Sequence, residues 1–450
     1  MIKLGVEQEE GLRLILEFIK SKDIVFTLSG FAGTGKSFMI KMLIEELDKL
    51  NKEYILCAPT HKAKTVLERF TEKEGITVHK LLSLSPNVNI LNLDYRNLQF
   101  NSSKNKSFFP FNSIIICDEA SMINDSLYLL LVKQCITNSC KIVFVGDIKQ
   151  IKPVNSEQTS KVFEVPNKFF LTEIYRQDND SALSDILPIS RDRFISLFKT
   201  NKKEKGSVFV YDTPKNFFVD SIPYFKKAID NLDILESKIL SYTNERVAFF
   251  NNKMKEALFG LDKEYNKFQF ITCYENFEFN NNSFWNSMDY IIIEEPEEIF
   301  VYIPYVGNFP GYKLILWDSS NKCNVIVNIL SKNISDSELQ RLTYAIENTR
   351  LEAIDLKQRR DRNSGLKWKQ YYEIIGSFTT PIDLYYDNRL IRKKSFDGGY
   401  ACTIHKSQGS SINNTFIDMK SIGLCRDNQE KRQLQYVALS RSKNNVYILQ

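Results

Sequence analysis

Through the first 171 residues, short apolar runs alternate with stretches whose apolar positions recur every three or four residues. The runs IVFTL (24–28), YILCA (54–58), IIIC (114–117) and KIVFVGD (141–147) read as buried strands. After the first of them, Phe38, Ile40, Leu43, Ile44, Leu47 and Leu50 keep a helical period. Alternation of this kind predicts a parallel α/β sheet. The pattern breaks between His79 and Ile114, where the chain turns polar, rich in Asn and Ser, with scattered aromatics. From Ile234 it resumes as a strand, a polar Tyr242-Thr243-Asn244 turn and a helix. Strand-like pieces follow around MDYIIIEEPEEIFVYI and YKLILWD. Then SDSELQRLTYAIENTRLEAIDLKQRRDR predicts one long helix, capped by Ser335 or Asp336. The next stretch, SGLKWKQYY, suits either a contact to single-stranded nucleic acid or a helix with a packed Trp368. Near the C-terminus, the apolar run Tyr436–Leu439 leads into Ser440-Arg441-Ser442 and a last strand around Val446-Tyr447-Ile448.

The first of these strands runs into GFAGTGKS, Gly30 to Ser37, and a helix follows at once. Strand, G-x-x-x-x-G-K-[ST], helix is the context a phosphate-binding loop requires. Gly33 and Gly35 let the backbone curl so that its N–H groups point inward, with Thr34 between them, and the helix N-terminus adds its positive dipole. Lys36 neutralises the β- and γ-phosphates of ATP, and Ser37 offers a hydroxyl to Mg²⁺. At the end of the strand IIIC stand Asp118 and Glu119, where a parallel sheet opens its crevice. Asp118 there would hold Mg²⁺, and Glu119 would activate the attacking water. Gln150, just past the strand at 141–147, is a γ-phosphate or water contact or a plain polar loop residue. Gln8, ahead of the first amphipathic helix, reads the adenine edge or is a surface glutamine.

Composition narrows this little. A chain of 450 residues implies two to four domains. Sixty basic against 55 acidic residues, a net charge of +5, is mildly basic and fits many enzymes as well as a nucleic-acid binder with a local groove. Eight cysteines form no C-x-x-C pair, and Cys57, Cys117 and Cys402 lie in apolar stretches, which implies reduced core thiols and a cytosolic compartment. The start MIKLGVEQEE does not read as a secretory signal, and no apolar run approaches the ~18 residues that span a bilayer, so a soluble protein with no membrane partner is expected.

The three histidines, His61, His79 and His405, each sit beside a lysine in a short polar segment, without metal-ligand spacing. Contacts to phosphate and sugar suit them better. The ordered set LGVEQ, GFAGTGKS, APTHKAK, TVHKLL, IIICDEASM, GDIKQIKPV, LTEIYRQ, TIHKSQG and YVALSRSK, from residue 4 to residue 443, resembles the motif series of superfamily 1B DNA helicases, in the RecD-like group and its Dda-like branch.

That resemblance implies an α/β fold of two RecA-like parallel-sheet domains, with a β-hairpin (pin) inserted in the first and an SH3-like β-barrel in the second. The first domain would span 1–171 with the pin segment at 83–111, the second 172–264 and 396–450, and the inserted 2B domain 265–395. ATP would lie between the two RecA-like domains, bound by Gln8, Gly30, Gly33, Thr34, Gly35, Lys36, Ser37 and Gly409. Arg176 and Arg441 would reach the γ-phosphate from the second domain; on the residues alone each is equally an ordinary loop or strand-edge arginine. DNA would meet Pro59, Thr60, His61, His79, Tyr242, Asn244, Thr403 and His405. Phe100 would stack on a base pair at the fork, with Phe108 and Phe109 as competitors and a local hydrophobic cluster as the alternative. Gln408-Gly409 would sense the phosphate. The implied activity is ATP-dependent 5′→3′ unwinding by a monomer on single-stranded and forked duplex DNA. A single-strand-binding protein or other replication proteins would be its partners, in the cytoplasm of a bacterium hosting a virus. Two rivals differ in kind: a translocase without efficient unwinding, and a slow nucleotide-switch loader.

Overall fold

In the computed structural model the residues described are 4–87, 99–102, 109–153, 160–175 and 181–450. The first sheet runs in the order Gly75–Thr77, Tyr54–Ala58, Ile114–Cys117, Lys141–Gly146, Val25–Gly30, Lys168–Leu171, with every neighbour parallel. Its central strands are apolar on both faces because both are covered. Ile114 and Ile116 join the core made with Ile15, Met39, Ile40 and Leu43 of the helices Val6–Lys20 and Lys36–Lys49. Ile115 and Cys117 point the other way, to Phe144, Leu131 and Cys135. The two-residue period of a strand makes that division. The register pairs Ser29 with Gly146 and Cys117 with Phe144, so three strands end on one edge. There they release the phosphate loop, Asp118 and Asp147.

The second sheet is also parallel throughout, in the order Ala401–Thr403, Ser237–Ser241, Ile412–Asp418, Ser442–Leu449, Val208–Tyr211. The helices Ala182–Asp192 and Asn428–Ser440 pack together on it through Leu183, Leu187, Leu434 and Val437. Phosphate-loop residue Ala32 packs against that same core, so the two lobes meet at the loop.

In the first lobe, Leu84–Asn87 and Gln99–Ser102 form an antiparallel hairpin in which Phe100 pairs with Pro86. Phe100 is therefore on the return strand. Phe108 lies outside the described residues. Phe109 is buried with Ile115 and Phe163, so it belongs to the core and is no fork contact.

The second insertion is an antiparallel sheet organised by one long strand, Gly307–Asp318, which pairs with Glu297–Ile303, Asp289–Ile292 and Cys323–Leu330. Phe396–Gly398 is also part of this sheet, against Phe270–Cys273, so the insertion extends past the expected boundary at 395. Among the described residues no ladder closes it into a barrel. Val301 and Ile303 turn instead onto Leu342, Ile346 and Tyr371 of the helices Asp336–Gln358 and Ser364–Gly376. Ser335 caps the long helix in a capping box with Glu338. Trp368 packs on that core and against Tyr371, so the packed reading of SGLKWKQYY holds. Seven of the eight cysteines are buried and all are free. Among the described residues, no helix is long and apolar enough to cross a membrane.

Candidate functional site

The site begins with backbone geometry. Gly33 and Gly35 have φ of 87° and 83°, a region open to glycine and strained for other residues. A Cβ at Gly35 would also collide with the Gln8 amide, and one at Gly30 would lie 2.7 Å from Thr34 Oγ1. Lys36 and Ser37 open the following helix, whose free N–H groups face the loop. Lys36 Nζ donates to the carbonyls of Gly30 and Phe31, each at 2.8 Å. Gln8 Nε2 donates to the Thr34 carbonyl at 3.1 Å, and its Oε1 accepts from Gly5 N at 3.1 Å. The amide expected to read a base edge is here part of the loop's scaffold.

Carboxylates crowd the neighbouring strand ends. Asp118 Oδ1 accepts from Glu119 N at 2.8 Å. Burial, then the charge of Glu119, pushes the Asp118 carboxyl up to about 7. Glu119 holds a left-handed backbone, φ 51°. Asp147 is fully buried. Burial lowers the Lys36 ammonium, opposed by Asp147, Glu119 and Asp118 in that order, which places all three carboxylates around it. Gln150 is buried beside them, and its Oε1 has no partner among the described residues.

From the second lobe comes Arg441, 5% exposed. Its guanidinium donates to Val437 O at 3.1 Å, Ser410 O at 3.3 Å and Ser440 Oγ at 2.9 Å. Burial lowers its pKa, opposed by Glu119, Tyr436 and Asp147, so it faces the first lobe's acids. A Cβ built on Gly409, φ 75°, would lie 3.8 Å from Glu119 Oε1. Gln408 Nε2 is buried without a partner among the described residues. Arg176 lies outside the described residues.

Three participants escaped the sequence reading. Tyr436 Oη donates to Asp147 Oδ2 at 2.8 Å and accepts from Ala32 N at 2.9 Å. Arg191 lays its guanidinium over the Phe31 ring at 3.9 Å, with Nε and Nη2 buried and unpartnered among the described residues. Asp147 carried the same signal as Asp118, an acid directly after an apolar strand. Nothing in the sequence marked Tyr436 or Arg191.

The expected nucleic-acid residues divide between scaffold and surface. Thr60 caps the helix His61–Thr71 by accepting from Ala63 N at 3.1 Å, beside a half-buried Pro59. His61 stacks on Trp285 of the insertion, ring centroids 3.6 Å apart and planes 10° apart. Burial first, then Lys64, His79 and Lys80, push its imidazole down to about 4, so these basic groups cluster. Burial also lowers His79 and His405. His405 approaches Glu430 at 3.6 Å and lies 6.3 Å, centroid to centroid, from Tyr242. Thr403 Oγ1 accepts from Lys406 N at 3.3 Å, holding the turn. Asn244 is exposed at the start of the helix Asn244–Phe259. Lys62 Nζ donates to the Lys406 carbonyl at 3.3 Å and ties the two segments across the lobes.

Comparison with known proteins agrees with this architecture. Residues 3–206 match the AAA domain family, and residues 398–449 match the UvrD-like helicase C-terminal domain. The chain is 26% identical over 465 residues to the ATP-dependent DNA helicase dda of Enterobacteria phage T4, covering 98% of each. The chain is similar over its whole length to superfamily 1B DNA helicases of the Dda and RecD kinds. It is also 25% identical to the RecBCD enzyme subunit RecD of Buchnera aphidicola, across 98% of itself and 72% of that relative. The crystal structure of Pif1 helicase from Bacteroides in complex with ADP-AlF3 and ssDNA shares its fold, with a TM-score of 0.51 and 14% identity, over 99% of this chain and 92% of that one.

Proposed function

We propose that the protein is an ATP-dependent DNA helicase that moves 5′→3′ on single-stranded DNA and separates the duplex ahead of it. The observation that carries this reading is a buried arginine of the second lobe, Arg441, facing Glu119 and Asp147 of the first at the phosphate loop. The 5′→3′ direction rests on the resemblance of the motif series to superfamily 1B helicases.

The P-loop amides hold the β- and γ-phosphates, and Lys36 turns from the Gly30 and Phe31 carbonyls to phosphate oxygens. Ser37 and Asp118 suit Mg²⁺: two hard oxygen donors, leaving positions for phosphate and water, with a carboxyl raised by burial and then by Glu119 that a divalent cation would bring down. The ion would neutralise charge on the phosphates. Glu119 takes a proton from a water whose oxygen bonds to the γ-phosphorus as the bond from that phosphorus to the β–γ bridging oxygen breaks. ADP and inorganic phosphate result. Gln150 Oε1 accepts a hydrogen bond from that water. Arg441 and Arg176 stabilise the charge that builds on the transferred group, and Gly409 lets the second lobe close against Glu119. Gln8 and Thr34 shape the loop beneath the nucleotide.

The single strand crosses Pro59, Thr60, His61 and His79 of the first lobe and Tyr242, Asn244, Thr403 and His405 of the second, while Phe100 on the hairpin meets the fork. Both halves of the nucleotide site come from one chain, which makes a monomer sufficient. Single-strand-binding or replication proteins are its natural company, in viral DNA replication or recombination. Steady-state ATP hydrolysis with and without an oligonucleotide is the deciding test. Strong stimulation is expected, and its absence would favour the switch protein. Forked DNA with a 5′ or a 3′ tail then tests direction, and stimulation without strand separation would leave only a translocase.

A further inference from the structure

Two side chains of the second lobe grip two consecutive residues of the phosphate loop. Arg191, near the end of the helix Ala182–Asp192, covers the ring of Phe31. Tyr436, on the helix Asn428–Ser440, takes the Ala32 N–H and gives its own proton to Asp147. The hydroxyl is thus a two-way junction. It accepts from the loop that holds the phosphates and donates to the acid at the end of the strand Lys141–Gly146, three residues before Gln150. The Gln150 N–H in turn donates to the Asp147 carbonyl at 3.1 Å, so Asp147 and Gln150 share one turn. Tyr436 is 1% exposed, so both bonds lie away from solvent. Arg441 follows five positions later at the end of the same helix, so one rigid element carries both groups across the interface.

We infer that Tyr436 is a positioning residue: its hydroxyl sets the phosphate loop and the Asp147–Gln150 turn to the closed position of the second lobe, so that Gln150 and Arg441 arrive together. This rests on the ATP-hydrolysing reading given above. Tyr436 touches no reacting atom; it acts through Ala32 and Asp147. When the lobes part, the Ala32 N–H and Asp147 Oδ2 lose the Tyr436 hydroxyl, while Asp147 Oδ1 keeps the Lys149 N–H at 2.9 Å, and the loop and the turn are free to shift relative to each other. Hydrolysis is then gated by a hydroxyl as well as by a guanidinium.

The test is Tyr436→Phe in the full chain, which keeps the ring and its packing and deletes both bonds. Turnover at saturating ATP and single-stranded oligonucleotide should fall about tenfold, the value of roughly two buried hydrogen bonds. Affinity for a fluorescent ATP analogue should stay within about threefold, because the loop itself is intact. The thermal midpoint should move by no more than about 3 °C. Asp147→Asn should slow the wild type yet add less than about twofold to Tyr436→Phe, since both act along one path. Turnover of Tyr436→Phe within about twofold of wild type would overturn the inference. So would a joint fall of turnover, affinity and midpoint, which would make the tyrosine a packing residue, or fully additive losses in the double variant. A wild type that the oligonucleotide fails to stimulate would sink the underlying function instead, and stimulated wild type with an unaffected variant sinks this inference alone.

Discussion

Arg441 in the cleft and Arg350 in the insertion are buried alike, 5% and 4% exposed. Their company is opposite. Arg350 is paired with Glu347, Nε to Oε2 at 2.8 Å and Nη2 to Oε1 at 2.5 Å, and Glu347 also takes Arg389 at 3.1 Å. Arg441 is held by two carbonyls and a hydroxyl, and among the described residues no carboxylate lies within ion-pair distance. A buried guanidinium without an anion costs free energy that a structural role does not return. The difference teaches where the chain keeps charge for a ligand and where it spends charge on itself.

The largest effect should come from breaking the unpaired member. Arg441→Ala is expected to lower turnover by roughly 10³ to 10⁵, or roughly 4–7 kcal/mol, while leaving ATP binding in a filter or fluorescence assay close to wild type. Arg441→Lys should not rescue it, because an ammonium lacks the planar fork. The paired member predicts the reverse. Glu347→Ala takes the carboxylate away from the buried Arg350 and should cost about 3–5 kcal/mol in urea unfolding, with nucleotide binding preserved. Loss of ATP binding in that variant would show that the two regions are one energetic unit.

The joint between them is the stack of His61 on Trp285, and it titrates. The folded imidazole is pushed from 6.5 down to about 4, so the neutral ring favours the docked state above 6.5, and that advantage is lost as pH falls through 4. Tryptophan emission should shift over that window as the insertion undocks, and Trp285→Phe should remove most of the change. An unchanged spectrum down to pH 4 would mean that the stack does not hold the joint. Smallest of all, Ser335→Ala should cost about 1 kcal/mol through the lost cap on the helix that carries Arg350, and leave turnover untouched.

The same contrast explains what the sequence revealed. Gly33, Gly35, Lys36, Asp118 and Glu119 were legible because strand, turn and helix fix their relative positions within a few residues. The first parallel sheet followed from apolar runs for the same reason, whereas the second was implied by the motif resemblance. Asp147 with Tyr436 joins residues 289 positions apart, and Ala32 with Tyr436 joins residues 404 apart, so no local pattern could pair them. Phe109 was a candidate for the fork because it ends a stretch rich in Asn and Ser, yet it fills a core built from strands elsewhere in the chain. In the insertion, the runs predicted strands but not that Gly307–Asp318 would serve three partners, nor that the sheet would take in Phe396–Gly398. Register is set by tertiary packing, which a two-residue period leaves open.

The turn ending at Gly409 has a mechanical consequence. A methyl placed there would touch Ala63, on the helix that begins at His61, at 3.7 Å, and Glu119 at 3.8 Å. Ala63 and Glu119 thus flank one and the same turn of the second lobe, one on the helix at His61 and one at the strand end that carries Asp118. On the helicase reading proposed above, travel of that turn would couple the stroke along DNA to the resetting of the chemistry.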